Sequence, residues 1–183
     1  MHMRHTLFSI LIASIAINAS AQDLAQTTAA KTPDKENEKL FREGEIAYNA
    51  GGYAKAIDIF TQVLARDPEH LNAYLQRGFC HSLQREYEAA IVDFTSVIAR
   101  KSDHLWAYTS RGSAYNKLGQ FDKAIQDFDQ VLILDPKNQE AYNNRGWTKK
   151  STGDLEGACK DWKTSKKMGN SEAKIILENN RCK

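Results

Sequence analysis

The 183-residue chain has little of several things. Its three prolines and ten glycines leave most of its length free to be helical. Its three cysteines are too few for a disulfide-dense scaffold or a zinc site of four thiolates. Lysine and arginine exceed aspartate and glutamate by only two charges, and no Lys/Arg block interrupts the chain. That balance gives no electrostatic footprint for nucleic acid. No glycine-rich phosphate loop is present, and "GAC" at Gly157–Cys159 is not a nucleophile motif. His70, His81 and His104 have no cysteine or histidine partners at ligand spacing, so no metal is expected. Asp127 and Asp129 belong to a charge-rich helical stretch and read as a solvated face. These absences point away from an enzyme and away from any cofactor.

The longest apolar run is Thr6–Ile17, "TLFSILIASIAI", behind Arg4 and ahead of Ala19 and Ala21. Twelve residues are too short for a comfortable membrane span. The basic start, apolar middle and small residues read as a secretory leader over 1–21, cut between Ala21 and Gln22. An uncleaved anchor is the alternative. No cysteine follows the cut, which argues against a lipid anchor. Residues 22–36 are polar and without apolar period, and read as a flexible linker.

What the chain does have is a period. "AYLQRG" at Ala73–Gly78 returns as "AYTSRG" at Ala107–Gly112 and "AYNNRG" at Ala141–Gly146, each 34 residues on. Rows beginning at Asn37, Leu71, Leu105 and Gln139 align without insertion. Gly44, Gly78, Gly112 and Gly146 share one slot; Ala56, Ala90, Ala124 and Ala158 share another. An aromatic slot holds Phe60, Phe94, Phe128 and Trp162. Pro68 and Pro136 close rows one and three, where Ser102 and Asn170 stand in the others. Within a row, two apolar stripes of helical spacing flank a turn, as with Trp106–Leu118 and Phe121–Leu132 around Gly119. One such hairpin cannot bury both of its faces, so hairpins must stack.

A period of 34 with these small-residue and aromatic slots resembles the tetratricopeptide repeat over Asn37 to about Glu172. The resemblance implies an all-α, right-handed superhelical solenoid. Its units would span 37–70, 71–104, 105–138 and 139–170, with a capping helix over 171–183. Ser171 would start that helix, and Ala173, Ile175, Ile176 and Leu177 would dock it.

Charges recur with the period. Arg77, Arg111 and Arg145 each have an aspartate sixteen residues on, at Asp93, Asp127 and Asp161, whereas row one has Glu43 and Ile59. The joint presence and joint absence predict three ion pairs within rows, with three solvated arginines as the alternative. Cys80 takes the slot of Ala114 and is expected to be a buried small residue. Cys159 takes the slot of Ile91 and Ile125, and Cys182 lies near the end of the expected cap. In an oxidising compartment a Cys159–Cys182 bridge is expected; two unpaired thiols are the alternative.

In the family that this chain resembles, first helices line a concave surface that binds peptides or partner helices. The resemblance places Phe41, Glu45 and Tyr48 there from row one, and Asn72, Leu75 and Phe79 from row two. Row three contributes Trp106, Thr109, Ser113 and Asn116; row four contributes Asn143, Trp147 and Lys150. Members that hold chaperone tails use a Lys/Asn/Arg clamp for the terminal carboxylate. Phe41 and Glu45 stand where its Lys and Asn would be, so that activity is not expected. The expectation is a non-enzymatic scaffold or adaptor for a protein or peptide, exported to the periplasm or secreted. An accessory subunit that positions an envelope enzyme or its substrate is the other reading.

Overall fold

A computed structural model describes residues 34–182. The leader and most of the linker fall outside the described residues. Residues 35–183 form one unit, and among the described residues the secondary structure is helical throughout. The helices are α1 Lys35–Asn49, α2 Tyr53–Arg66, α3 Leu71–Leu83, α4 Tyr87–Arg100, α5 Leu105–Lys117, α6 Phe121–Leu134, α7 Gln139–Ser151, α8 Leu155–Lys167 and α9 Ala173–Asn179.

Turn chemistry sets the hairpins. The chain passes through a left-handed residue after each first helix, at Gly51, Arg85, Gly119 and Gly153. The amide after it donates back to the helix, from Gly52 to Ala47 O, Glu86 to His81 O, Gln120 to Tyr115 O and Asp154 to Lys149 O. This closes each first helix and reverses the chain. The next first helix is opened by a side-chain cap. Nδ1 of His70 and of His104 accepts from the amides of Ala73 and Ala107, and Oδ1 of Asn138 accepts from Ala141. Each cap satisfies an amide that the helix itself leaves without a partner.

Each helix packs on the next along the chain, and the first helices also touch in series, α1 on α3, α3 on α5, and α5 on α7. That is an α-solenoid. Its core repeats as well: Ala56, Phe60 and Val63 are fully buried, as are Ala90, Phe94 and Val97, and Ala124, Phe128 and Val131. Row four has Ala158, Trp162 and Ser165 in those slots, also fully buried. The Ser165 hydroxyl donates to Gln139 O and accepts from Asn170 Nδ2, so the polar substitution costs no unsatisfied group.

Glycine admits the aromatic. A Cβ on Gly44 would lie 2.6 Å from the Phe60 ring, and one on Gly78 2.7 Å from Phe94. On Gly146 it would lie 2.6 Å from Nε1 of Trp162. Real Cβ atoms do not approach so closely, so the hairpin closes only because this slot has no side chain.

The cap differs from its sequence reading. It spans only Ala173–Asn179, and its first turn follows Glu172 rather than Ser171. The Asn170 carboxamide accepts from the Glu172 amide instead. Ala173 is buried and Ile176 and Leu177 are half-buried, but Ile175 is 61% exposed and does not dock. The Cys159–Cys182 disulfide, with Cα atoms 5.5 Å apart, ties the segment after α9 to α8.

Candidate partner-binding groove

The recurring Ala-Tyr-x-x-Arg-Gly motif builds the frame of the first helices. Its alanines, Ala73, Ala107 and Ala141, are fully buried and receive the caps. Its tyrosines lie under its arginines: the guanidinium carbon of Arg77 is 5.7 Å from the Tyr74 ring centre, that of Arg111 is 5.6 Å from Tyr108, and that of Arg145 is 5.5 Å from Tyr142. Each guanidinium grips the aspartate sixteen residues on through two bonds. Nε and Nη2 of Arg77 donate to Asp93 at 2.9 and 2.7 Å. Arg111 donates to Asp127 at the same two distances. Arg145 donates to Asp161 at 2.8 and 2.6 Å, and Lys149 joins that carboxylate at 2.8 Å.

A third bond escaped the sequence reading. The remaining Nη1 reaches back to the preceding hairpin: Arg77 to Thr61, Arg111 to Thr95, and Arg145 to Asp129. Each arginine therefore spans two rows. The signal was present, since Thr61, Thr95 and Asp129 share one slot of the period. Row one, the first hairpin among the described residues, carries Glu43 and a buried Ile59 in the slots of the arginine and the aspartate.

The electrostatics agree with a fixing role. Hydrogen bonding to Asp127 raises the Arg111 pKa above its ordinary value, so the guanidinium stays charged. Burial pushes the Asp127 carboxyl up, and Arg111 offsets only part of that. Such a pair sets geometry more than it adds stability.

On this frame α3 and α5, with Tyr87 of α4 and Glu140 of α7, line an open cleft of about 290 Å³. Four residues placed on the groove from sequence line it together: Phe79, Trp106, Thr109 and Ser113. Six others that sequence reasoning missed also line it: Ser82, Tyr87, Ser110, Ala114, Lys117 and Glu140. From Trp106 to Lys117 the lining follows one stripe of α5. The cleft thus has aromatic walls, a hydroxyl-bearing floor, and one lysine and one glutamate. Trp106 is 66% exposed and stands open to a guest.

The other groove residues lie outside this cleft. Phe41 is a correction: it is only 8% exposed and belongs to the core. Its ring stacks 4.7 Å from His70 and 5.5 Å from Phe60, so the bulky side chain folds into the gap below the next cap. Tyr48 is half-buried beside Tyr53, and Glu45 and Leu75 are half-buried. Asn72 and Lys150 are exposed; Asn116 and Asn143 are half-buried. Trp147 packs edge-on against Trp162 at 5.0 Å, with the Lys150 amine 5.2 Å from its ring centre. The buried Asn143 Oδ1 has no hydrogen-bond partner within the protein.

Cys80 is buried and free, and burial pushes its thiol up to about 11, which makes it a poor nucleophile. His81 bonds Glu86 at 2.6 Å. Among the described residues no group of three His, Cys, Asp or Glu could hold a metal ion, and no helix is long and apolar enough to cross a membrane.

Solved structures share this architecture. MamA of Desulfovibrio magneticus RS-1, residue 41 to its end, superposes with a TM-score of 0.72 at 22% identity, covering 87% of this chain and 96% of that one. The second tetratricopeptide domain of human RPAP3, in complex with the HSP70 peptide SGPTIEEVD, gives 0.61 at 28% identity over 64% of this chain and 98% of that one. The first such domain of Spaghetti (RPAP3), bound to the HSP90 peptide SRMEEVD, gives 0.64 at 24% identity, covering 68% and 99%. No curated protein sequence matches the chain. Two family models, both of the tetratricopeptide repeat, match residues 41–104 and 105–138, together more than half of the sequence, and the chain belongs to the tetratricopeptide-repeat family.

Proposed function

We propose that this protein is an exported, non-enzymatic adaptor that holds a protein or peptide segment in its concave groove within a bacterial envelope. The observation that carries the reading is the α3–α5 cleft, where Phe79, Tyr87 and the open Trp106 face a row of hydroxyls. Phe79 and Tyr87 are half-buried, with Phe79 5.5 Å from the Phe94 ring, and the exposed Trp106 is the one of the three with the character of an interface anchor. The Thr109 and Ser113 hydroxyls donate to Leu105 O and Thr109 O within α5 and keep lone pairs that can accept from a guest, while Lys117 supplies a donor and Glu140 an acceptor. The RPAP3 domain in complex with an HSP70 peptide has the same fold, which supports a peptide guest. The guest differs in kind from a chaperone tail, because Phe41 is spent in the core and Glu45 is acidic where a carboxylate clamp needs donors. Export rests on the apolar run at residues 6–17 and the small residues before Gln22.

Affinity capture from an envelope extract tests the groove. Wild-type protein and the Trp106→Ala/Trp147→Ala variant are compared by quantitative mass spectrometry. Partners recovered by the wild type and lost with the variant are the expected result; equal recovery removes the groove assignment. The amino terminus of the protein isolated from cells is expected to be Gln22, and an intact Met1 contradicts export with cleavage.

A further inference from the structure

The outer face of α8 carries a second surface, separate from the concave groove. A cleft of about 780 Å³ lies between α8 and the segment after α9. Lys160, Lys163, Lys167 and Arg181 line it, against the single acidic Glu156. The repeat supplies its own control for these positions. The equivalent slots are Asp58, Thr61 and Ala65 in row one, Val92, Thr95 and Ala99 in row two, and Gln126, Asp129 and Ile133 in row three. The hairpin therefore folds without lysine at any of them, and row four alone has lysine at all three. All three lysines are exposed.

The fourth cation is held in place at a conformational cost. Arg181 adopts φ of 53°, a left-handed conformation taken elsewhere among the described residues by Gly51, Gly119, Gly153 and Gly169 and by one other non-glycine residue, Arg85. The Cys182 amide bonds Leu177 O and its sulfur bonds Cys159, so the bridge pins Arg181 beside the lysines. The same helix-end turn occurs at Arg85, so the left-handed conformation closes α9, and the basic character of the cleft rests on the four side chains that line it.

From this placement we propose that the basic cleft beside the Cys159–Cys182 bridge docks an acidic helical segment of a partner protein. The lysines sit at i, i+3 and i+7 of one helix. At a rise of about 1.5 Å per residue their attachment points stand about 4.5 and 6 Å apart along the axis. A second helix bearing carboxylates at the same interval matches that spacing over about two turns. A bilayer surface is the poorer match, because a membrane-bound helix needs a broad apolar face beside its lysines. Here the neighbouring apolar side chain in the cleft is Leu155.

The test uses a fluorescein-labelled, alanine-rich helical peptide with glutamates at i, i+3 and i+7, and the same peptide with glutamines. Binding to the oxidised protein is followed by anisotropy at low salt. Saturable binding of the glutamate peptide alone is expected, at least tenfold weaker for Lys160→Gln/Lys163→Gln/Lys167→Gln and unchanged for Lys39→Gln/Lys101→Gln. The Trp106→Ala groove variant is expected to bind the peptide as the wild type does, which separates this surface from the proposed groove. Circular dichroism confirms that each variant is folded. The proposal is overturned by equal affinity in the triple variant, by loss of binding in the groove variant, or by capture on anionic phosphatidylglycerol vesicles with no binding of the peptide.

Discussion

Asp127 is buried between two helices with a guanidinium as its main compensation, and that makes Arg111 more than a surface charge. Removing the arginine alone leaves a carboxylate out of water and unpaired. Arg111→Ala is expected to lower stability by about 3 kcal/mol in chemical denaturation. Arg111→Ala/Asp127→Ile, which gives row three the buried isoleucine of row one, is expected to recover most of that. A single variant as stable as the wild type contradicts the buried-pair account. His104 makes a second residue-scale prediction. Burial and then the nearby Lys101 lower its pKa below 6.5, and its Nδ1 must stay unprotonated to accept from Ala107. The folded protein binds this proton less readily than the unfolded chain does. Stability from this group is therefore complete above pH 6.5 and falls as the pH drops towards the lowered folded value. Asn138 already does the same job in row four, so His104→Asn is expected to keep the cap and remove this part of the pH dependence. Parallel pH–stability curves for the two proteins would refute it.

At the scale of the element, each hairpin is closed by a glycine on one helix and an aromatic on the other. Alanine at that slot gains helix propensity of about 1 kcal/mol, and overpacking costs about 1–3 kcal/mol. The balance depends on the gap. A Cβ at Gly146 meets Trp162 at 2.6 Å, whereas at Gly112 it meets Phe128 at 3.0 Å. Gly146→Ala is expected to lower the denaturation midpoint clearly, and Gly112→Ala to change it little; the reverse order contradicts this packing. These slots were legible because they recur in every row at the helical spacing. The pairing of Arg77 with Asp93 was written as two charges present together in three rows and absent together from the first. The bond from Arg77 back to Thr61 was harder to see: periodicity within a row says which residues share a face, but not which atoms of the next row meet them. The same limit hid Tyr87, Lys117 and Glu140, which reach the cleft from other helices or the end of α5. Phe41 misled because its slot lines the cleft in row three, at Thr109, whereas in row one a large apolar ring takes the nearby gap by His70 in preference to water.

At the scale of the whole array, among the described residues, stability follows from neighbours in series, since each hairpin packs on those before and after it. Three arginines tie successive hairpins, and α9 with its disulfide closes the last one. A frame fixed in this way holds the cleft between α3 and α5 in place with Trp106 uncovered, which is what groove binding requires. Site-specific photo-crosslinking in the envelope tests that claim most directly. A benzophenone amino acid is placed at Trp106, on the inner face, or at Val92, which is exposed on the outer side of α4. The account predicts a partner adduct from position 106 and none from position 92. Adducts from position 92 alone would contradict it.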